Sequence, residues 1–293
     1  YPAAQSGLVG FKPPWGRVPE TYEPFNLESY CANGPMARTV ADTALMQNVI
    51  SGPWSGDAAS ALPKVNLPLE YDNSLKNCRI AYSMNLGYLD IESDVANNTL
   101  EMLARLQQLG AEVVEVDLNW PAGIERAYNG HMDPLVWGAM FDLVASQGDQ
   151  MCDYNLAMAE QARERLNDST AFYDALCIES QMYRLFGQMM ESYDVFVCPT
   201  AMSTALRADF NPAREAYKVN GKVLKWDLEL STCHQFNMMG RCPAISVPSG
   251  LGDNGVPSGL QIVASAYNDP AVFRVAAALE STWEQPFIAQ PLN

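Results

Sequence analysis

Short apolar strand-like runs alternate with amphipathic helical patterns along the chain, and that alternation predicts an α/β protein. Three passages carry the prediction. One is the strand–helix–strand run from Cys78 to Asp117, another the apolar run Asp194–Cys198 stopped by Pro199. The third is a closing unit of two strands and a helix between Ala244 and Trp283.

In chain order, Gly7–Phe11 reads as the first strand, ended by Pro13, Pro14 and Gly16. A helix is predicted from Met36 to Ile50, opened by Pro35 and closed by Gly52-Pro53, with Ala41, Leu45 and Val49 on one face. Residues 53–75, rich in Pro, Asp, Ser and Asn, read as a surface connection. A strand over Cys78–Met84 leads to a helix from Ser93 to Leu109, where Ala96, Leu100, Leu103 and Leu106 share a face. Gly110 stands just past its end, where a left-handed residue is favoured. The alternating run Glu112–Asp117 then completes a parallel crossover unit. Residues 121–193 carry long helical patterns, interrupted near Gly148 and at Asn167-Asp168. Residues 200–224 are irregular, and a helix near Trp226–Met239 ends at Gly240. Strands Ala244–Pro248 and Gly259–Ala264 and a helix from Pro270 to Trp283 finish the chain. With no internal repeat, low-complexity tract or dividing linker, the chain reads as one domain.

Composition narrows the function. The 293 residues hold 34 acidic and 18 basic side chains, a net charge of −16, which argues against direct binding of nucleic acid or an anionic membrane surface. No apolar run approaches the roughly 18 residues that span a bilayer. Two histidines make a histidine-rich metal site improbable, and the seven cysteines, widely spaced and without a C-x-x-C pair, give neither a zinc knuckle nor a disulfide framework. Reduced, mostly buried thiols in a cytoplasmic protein are expected. The sequons at Asn97 and Asn167 carry little weight without a secretory signal. The first residues are Tyr1-Pro2-Ala3, with no initiating methionine.

Several motifs invite chemistry and are better read otherwise. Gly250–Gly255 fits G-x-G-x-x-G, but Pro257 and a second strand follow where a dinucleotide site needs a helix; Asp253-Asn254-Gly255 is hairpin-turn chemistry. Cys233 and His234 are neighbours, so on a helix their side chains point about 100° apart and do not form a nucleophile–base pair. His131 stands alone in its helix and reads as a hydrogen-bonded polar residue. There is no G-x-S-x-G elbow, and none of the six lysines has a serine three positions before it.

Three segments together resemble the amidase signature family. Tyr1-Pro2-Ala3, with Gly7-Leu8-Val9-Gly10-Phe11-Lys12-Pro13 and Gly16-Arg17-Val18-Pro19, is similar to the end of the family signature. Gly34-Pro35-Met36-Ala37-Arg38-Thr39-Val40-Ala41-Asp42 is similar to its G-P-x-A-R-T-V-x-D stretch. Cys242-Pro243-Ala244-Ile245-Ser246-Val247-Pro248 and Gly255–Val263 resemble its closing hairpin, and Val197-Cys198-Pro199-Thr200 resembles a strand ending L-x-P-T. The motifs occur in family order.

The resemblance implies a three-layer α/β/α amidase-signature fold with a mixed central sheet. It also implies hydrolysis of a C–N amide bond of a small-molecule amide by a Ser-Ser-Lys triad, without metal or organic cofactor. Matching Tyr1-Pro2-Ala3 to the signature puts the nucleophilic serine three residues before Tyr1, and the relay serine, the lysine and the glycine-rich oxyanion loop further upstream. Residues 1–293 are therefore expected to be a single incomplete amidase domain with its N-terminal part missing, inactive alone and prone to aggregate without that part. Ser6, expected inside the strand after the motif, does not qualify as nucleophile. By resemblance, Tyr128, His131, Met132, Thr200 and Asn237 are candidates for the substrate side of the pocket, and Lys12, Arg17 and Arg38 for anchoring loops and helix ends. Two alternatives stay open: a non-catalytic binding or scaffold subunit, and the amidase-type subunit of a tRNA amidotransferase, whose companion subunit contacts RNA. Assembly into a homo-oligomer is also left open.

Overall fold

Val195, Phe196, Val197 and Cys198 point alternately to the two faces of a strand, and all four are buried, so helices must cover both sides of the sheet they enter. The computed structural model describes residues 1–22, 25–61, 63–166, 168–224 and 230–283. Its strands are β1 (Val9–Lys12), β2 (Met36–Ala37), β3 (Arg79–Tyr82), β4 (Glu112–Glu115), β5 (Val195–Pro199), β6 (Lys218–Val219), β7 (Lys222–Val223), β8 (Ala244–Leu251) and β9 (Pro257–Val263). Seven of them form one sheet in the order β2-β1-β8-β9-β5-β3-β4, and β6 and β7 form a separate hairpin. β3 runs parallel to β4 and β5, whereas β5–β9, β9–β8, β8–β1 and β1–β2 are antiparallel. The sheet is mixed, as the resemblance implied.

The helices are α1 (Pro2–Gln5), α2 (Val40–Ile50), α3 (Ser93–Gln108), α4 (Ile124–Met132), α5 (Gly138–Gln147), α6 (Asp153–Arg165), α7 (Ala171–Met190), α8 (His234–Met238) and α9 (Asp269–Glu280). One face of the sheet presents Val9, Phe11, Val195, Val197, Ile245 and Ile262 to α2, α3 and α9. There Met102, Leu103 and Leu106 of α3 meet Phe273 and Ala276 of α9, and Phe11 packs edge-on against Phe273 with ring centroids 4.7 Å apart. Burial of each large apolar side chain contributes about 1.5–3 kcal/mol. The opposite face presents Phe196, Cys198, Ala244 and Val263 to Phe186 and Met190 of α7 and Phe236 of α8. α4 packs outside this layer, on α7 and α8, and Ile124, Ala127, Tyr128 and Met132 meet Ala175, Met182 and Met238 there.

The crossover β3–α3–β4 is parallel, with Arg79 opposite Glu112, and Gly110 takes φ +99° after the last turn of α3. Gly250–Gly255 forms the last two residues of β8 and the turn that leads into β9.

Other expectations shift. The segment expected to be one helix from Met36 is a short strand followed by α2, because Thr39, not Pro35, caps it: its Oγ1 accepts the Asp42 amide at 3.0 Å. The face carrying Leu45 and Val49 is turned to solvent, and Val40, Thr43, Ala44 and Gln47 are the buried set. On α3 Leu100 is likewise exposed. Ser6 lies at the C-terminal end of α1 rather than within β1. Between α4 and α5 the backbone widens into a π turn over Asp133–Trp137, with the Asp133 carboxylate held by Arg165 at 2.6 and 2.9 Å. α8 spans only His234–Met238; the beginning of the helix expected near Trp226 lies outside the described residues, and Ser231 bridges Ala201 instead. The Asn167 position of the predicted helical break is also outside them. All seven cysteines are free, but Cys31, Cys152 and Cys177 are exposed, so fewer thiols are buried than expected.

Candidate active site

α1 lies along the start of β1 and against β8 and β9, while the loop Cys31–Met36 runs beside it toward β2. The gap between these elements, α4 and α8 is a cavity of about 460 Å³. Tyr1, Pro2 and Ala3 form one side; Tyr128 and His234 supply aromatic rings; Asn237 closes the α8 end. Lys12, Ser231, Cys233, Ser246 and Gln261 contribute the remaining polar groups of the lining. The apolar body of the cavity with a few convergent polar groups is the usual form of a small-molecule site.

Each polar group is fixed by its neighbours. The Ser246 hydroxyl, projecting from β8, is 2.8 Å from the Thr200 hydroxyl, which is itself fully buried just past β5. The Gln261 amide donates to the Thr232 carbonyl at 3.3 Å and to Cys198 Sγ at 3.4 Å, and Thr232 Oγ1 in turn donates to the Pro199 carbonyl. Cys233 Sγ donates toward the Thr200 carbonyl at 3.6 Å. His234 Nδ1 lies 3.0 Å from the Ser231 carbonyl, so Nδ1 carries the proton and the neutral ring leaves Nε2 as an acceptor. Burial pushes the His234 pKa down to about 4, against the opposing effect of that hydrogen bond. Tyr128 meets the His234 ring edge-on at 5.5 Å.

Lys12 spans the floor of the cavity. Its Nζ donates to the carbonyls of Cys242 at 2.7 Å and Gly240 at 3.5 Å, which ties β1 to the turn between α8 and β8. Burial pushes its pKa down to about 8, with Cys242 and Asp269 acting in the other direction. Arg17 lies behind, bound to Asp269 at 3.1 and 3.3 Å and to the carbonyls of Pro63 and Tyr267 at 3.2 Å. Both side chains hold loop and helix ends. Arg38 is exposed and has no hydrogen bond or ion pair among the described residues.

Of the five candidates for substrate contact, Tyr128 and Asn237 line this cavity. Thr200 lies one hydroxyl behind it, bonded to Ser246. His131 and Met132 lie on the buried side of α4, His131 with Nε2 3.0 Å from Glu28 Oε1 and Met132 in the cluster around Tyr30 and Met182. Lys12, His234, Ser246 and Gln261 also line the cavity and were not among the candidates. The signal for three of them was present, since Lys12, Ser246 and Gln261 belong to the motifs that carry the resemblance.

A second cavity, of about 760 Å³, lies between α4, α6 and α7. Both arginines in its lining are paired, Arg126 with Asp168 at 2.8 Å and Arg165 with Asp133 at 2.6 Å. No group of three or more His, Cys, Asp or Glu side chains that could hold a metal occurs among the described residues. No helix among them is long and apolar enough to cross a membrane.

A mixed seven-stranded sheet lies between helical layers, with a cavity where α1 and β1 meet β8 and β9, and this defines an α/β fold with a small-molecule-sized site. The amidase family model matches residues 1–273, and the chain belongs to that family. It is 32% identical to an acylamidase of Rhodococcus erythropolis over 285 residues, which cover 96% of this chain and 58% of that protein. It is 31% identical to a glutamyl-tRNA(Gln) amidotransferase subunit of Staphylococcus epidermidis, covering 96% of this chain and 61% of the relative. Among solved structures, a bacterial aryl acylamidase of the amidase signature family superposes with a TM-score of 0.84 at 22% identity, covering 99% of this chain and 60% of that one. A glutamyl-tRNA(Gln) amidotransferase subunit from Thermotoga maritima superposes with a TM-score of 0.68 at 25% identity, covering 96% and 59%. The chain thus spans 58% of the length of the acylamidase and 61% of that of the Staphylococcus relative.

Proposed function

We propose that residues 1–293 form the substrate-pocket side of an amidase that hydrolyses the C–N bond of a small-molecule amide, by a Ser-Ser-Lys triad lying ahead of Tyr1. In that chemistry a serine attacks the amide carbonyl, and a second serine passes its proton to a neutral lysine. Backbone amides of a glycine-rich loop then hold the tetrahedral oxyanion. The observation that carries the reading is the place of Tyr1, Pro2 and Ala3. They line the same cavity as Tyr128, His234 and Asn237, so a nucleophile shortly before Tyr1 in sequence would face the substrate walls supplied here. The 32% identity to a protein named an acylamidase supports an acyl amide as the substrate. The free cysteines support a reducing, cytoplasmic setting.

Expression of this chain together with its upstream coding sequence, followed by an assay on anilides and simple aliphatic amides, tests the reading. Amide hydrolysis is expected, with the isolated segment inactive; a folded, inactive product that retains both serines and the lysine would overturn it. The likeness to the tRNA amidotransferase relatives supports a second reading, in which this pocket belongs to the amidase-type subunit of such an enzyme and a companion subunit contacts the RNA. Copurification of a tRNA-binding partner would favour that assignment, and a homo-oligomer active on free amides would rule against it.

A further inference from the structure

Behind the Tyr128 wall of the cavity lies a buried polar cluster that contributes nothing to the lining. Glu28, nearly fully buried, accepts hydrogen bonds from the backbone amides of Tyr30 and Cys31 and lies 3.0 Å from His131 Nε2. The His131 ring lies flat on the Tyr30 ring, with centroids 3.8 Å apart and planes 15° from parallel, and Phe172 of α7 covers it from another side at 5.4 Å. Tyr30 in turn stacks on Tyr128 at 5.9 Å, and its hydroxyl donates to Glu179 of α7 at 3.2 Å. Tyr128 and His131 are three residues apart on α4, on the same face, and Tyr30 spans both. His131 Nδ1 is buried with no hydrogen-bond partner among the described residues.

An apolar core would hold α4 at least as well, since burying a carboxylate costs desolvation that its partners only offset. What such a cluster supplies is direction: one ring held by a carboxylate, pressed on a second ring, which bears on a third inside the cavity. We infer that His131, oriented by Glu28, is a positioning residue that sets the Tyr128 ring against substrate through Tyr30. The inference rests on the cavity being the substrate site.

Steady-state kinetics of the full-length enzyme on an anilide test it through a double-mutant cycle of Tyr128→Ala and His131→Ala, with a thermal melt of each variant. Each single variant is expected to raise KM roughly tenfold with kcat changed less than about twofold. The double variant is expected to match Tyr128→Ala alone, because His131 acts only through that ring. A merely structural histidine would lower the melting temperature without this coupling. Where His131→Ala does not fold, His131→Gln, which keeps a donor to Glu28 but loses the ring, enters the same cycle with the same expectation. A raised KM in Tyr128→Ala beside an unchanged KM in the His131 variant, or effects that multiply in the double variant, overturns the positioning role alone. An unchanged KM in Tyr128→Ala overturns the cavity as substrate site, and the positioning role with it.

Discussion

His234 illustrates how single side chains in the site trade stability for a fixed protonation state. Its Nδ1–H bond to the Ser231 carbonyl fixes the tautomer, and burial holds its pKa at about 4 against the ordinary 6.5. Between those values the unfolded chain binds a proton that the folded one refuses. The contribution is therefore complete above pH 6.5 and is lost as pH falls toward 4, about 3 kcal/mol in all. Glu28 acts in a lower window. Burial pushes its pKa up, but the bonds from His131, Tyr30 and Cys31 more than offset this, and the net shift is down. Its stabilisation is present above the ordinary carboxylate pKa and is lost below it. Melts recorded from pH 7.5 to 4.5 should show the wild type losing stability steadily, and His234→Gln with a visibly flatter limb; parallel limbs would contradict the burial argument. None of this is legible in the sequence. The spacing of Cys233 and His234 excludes a nucleophile–base pair, yet nothing in it reveals that His234 lines a cavity.

At the scale of elements, local signals predict the strands and α3 well and α2 poorly. The β3–α3–β4 crossover and the β8–β9 hairpin follow from alternation, a C-terminal glycine and turn residues, all local. α2 misleads because its apolar residues occur on both faces, so period alone does not say which faces the sheet; packing against α9 decides for Val40 and Ala44. The site depends on two tertiary anchors. Gly240 sits against the Ser29 carbonyl, closer than any side-chain carbon could approach, in the turn that Lys12 holds. Gly240→Ala should cost about 1–3 kcal/mol in denaturant titration. The Arg17–Asp269 pair, with side chains 8% and 2% exposed, ties the segment after β1 to the start of α9. Asp269→Ala strands a buried guanidinium and should cost about 3–5 kcal/mol; a loss under about 1 kcal/mol would show that water or another carboxylate replaces the partner.

For the whole molecule, the mixed sheet and the placing of Tyr128 and Asn237 at one cavity make sense of motifs spread from the first residue to Val263. The family is legible because those motifs are backbone-dictated, in turns and close approaches. The remainder of the pocket is not, because it depends on which side chains meet across α4, α8 and the sheet. Exposed Leu45, Met46 and Val49 on α2 give residues 1–293 an apolar surface. Sedimentation of that isolated segment should show association; a monomer with a cooperative melt would contradict it. The substrate pocket is tested most directly by hydrolysis of an anilide series by the full-length polypeptide, wild type beside Tyr128→Ala and Asn237→Ala. Anilide cleavage by the wild type is expected, with KM raised severalfold in both variants and kcat largely kept. Hydrolysis that is indifferent to both substitutions, or no hydrolysis with the triad intact, would contradict that expectation.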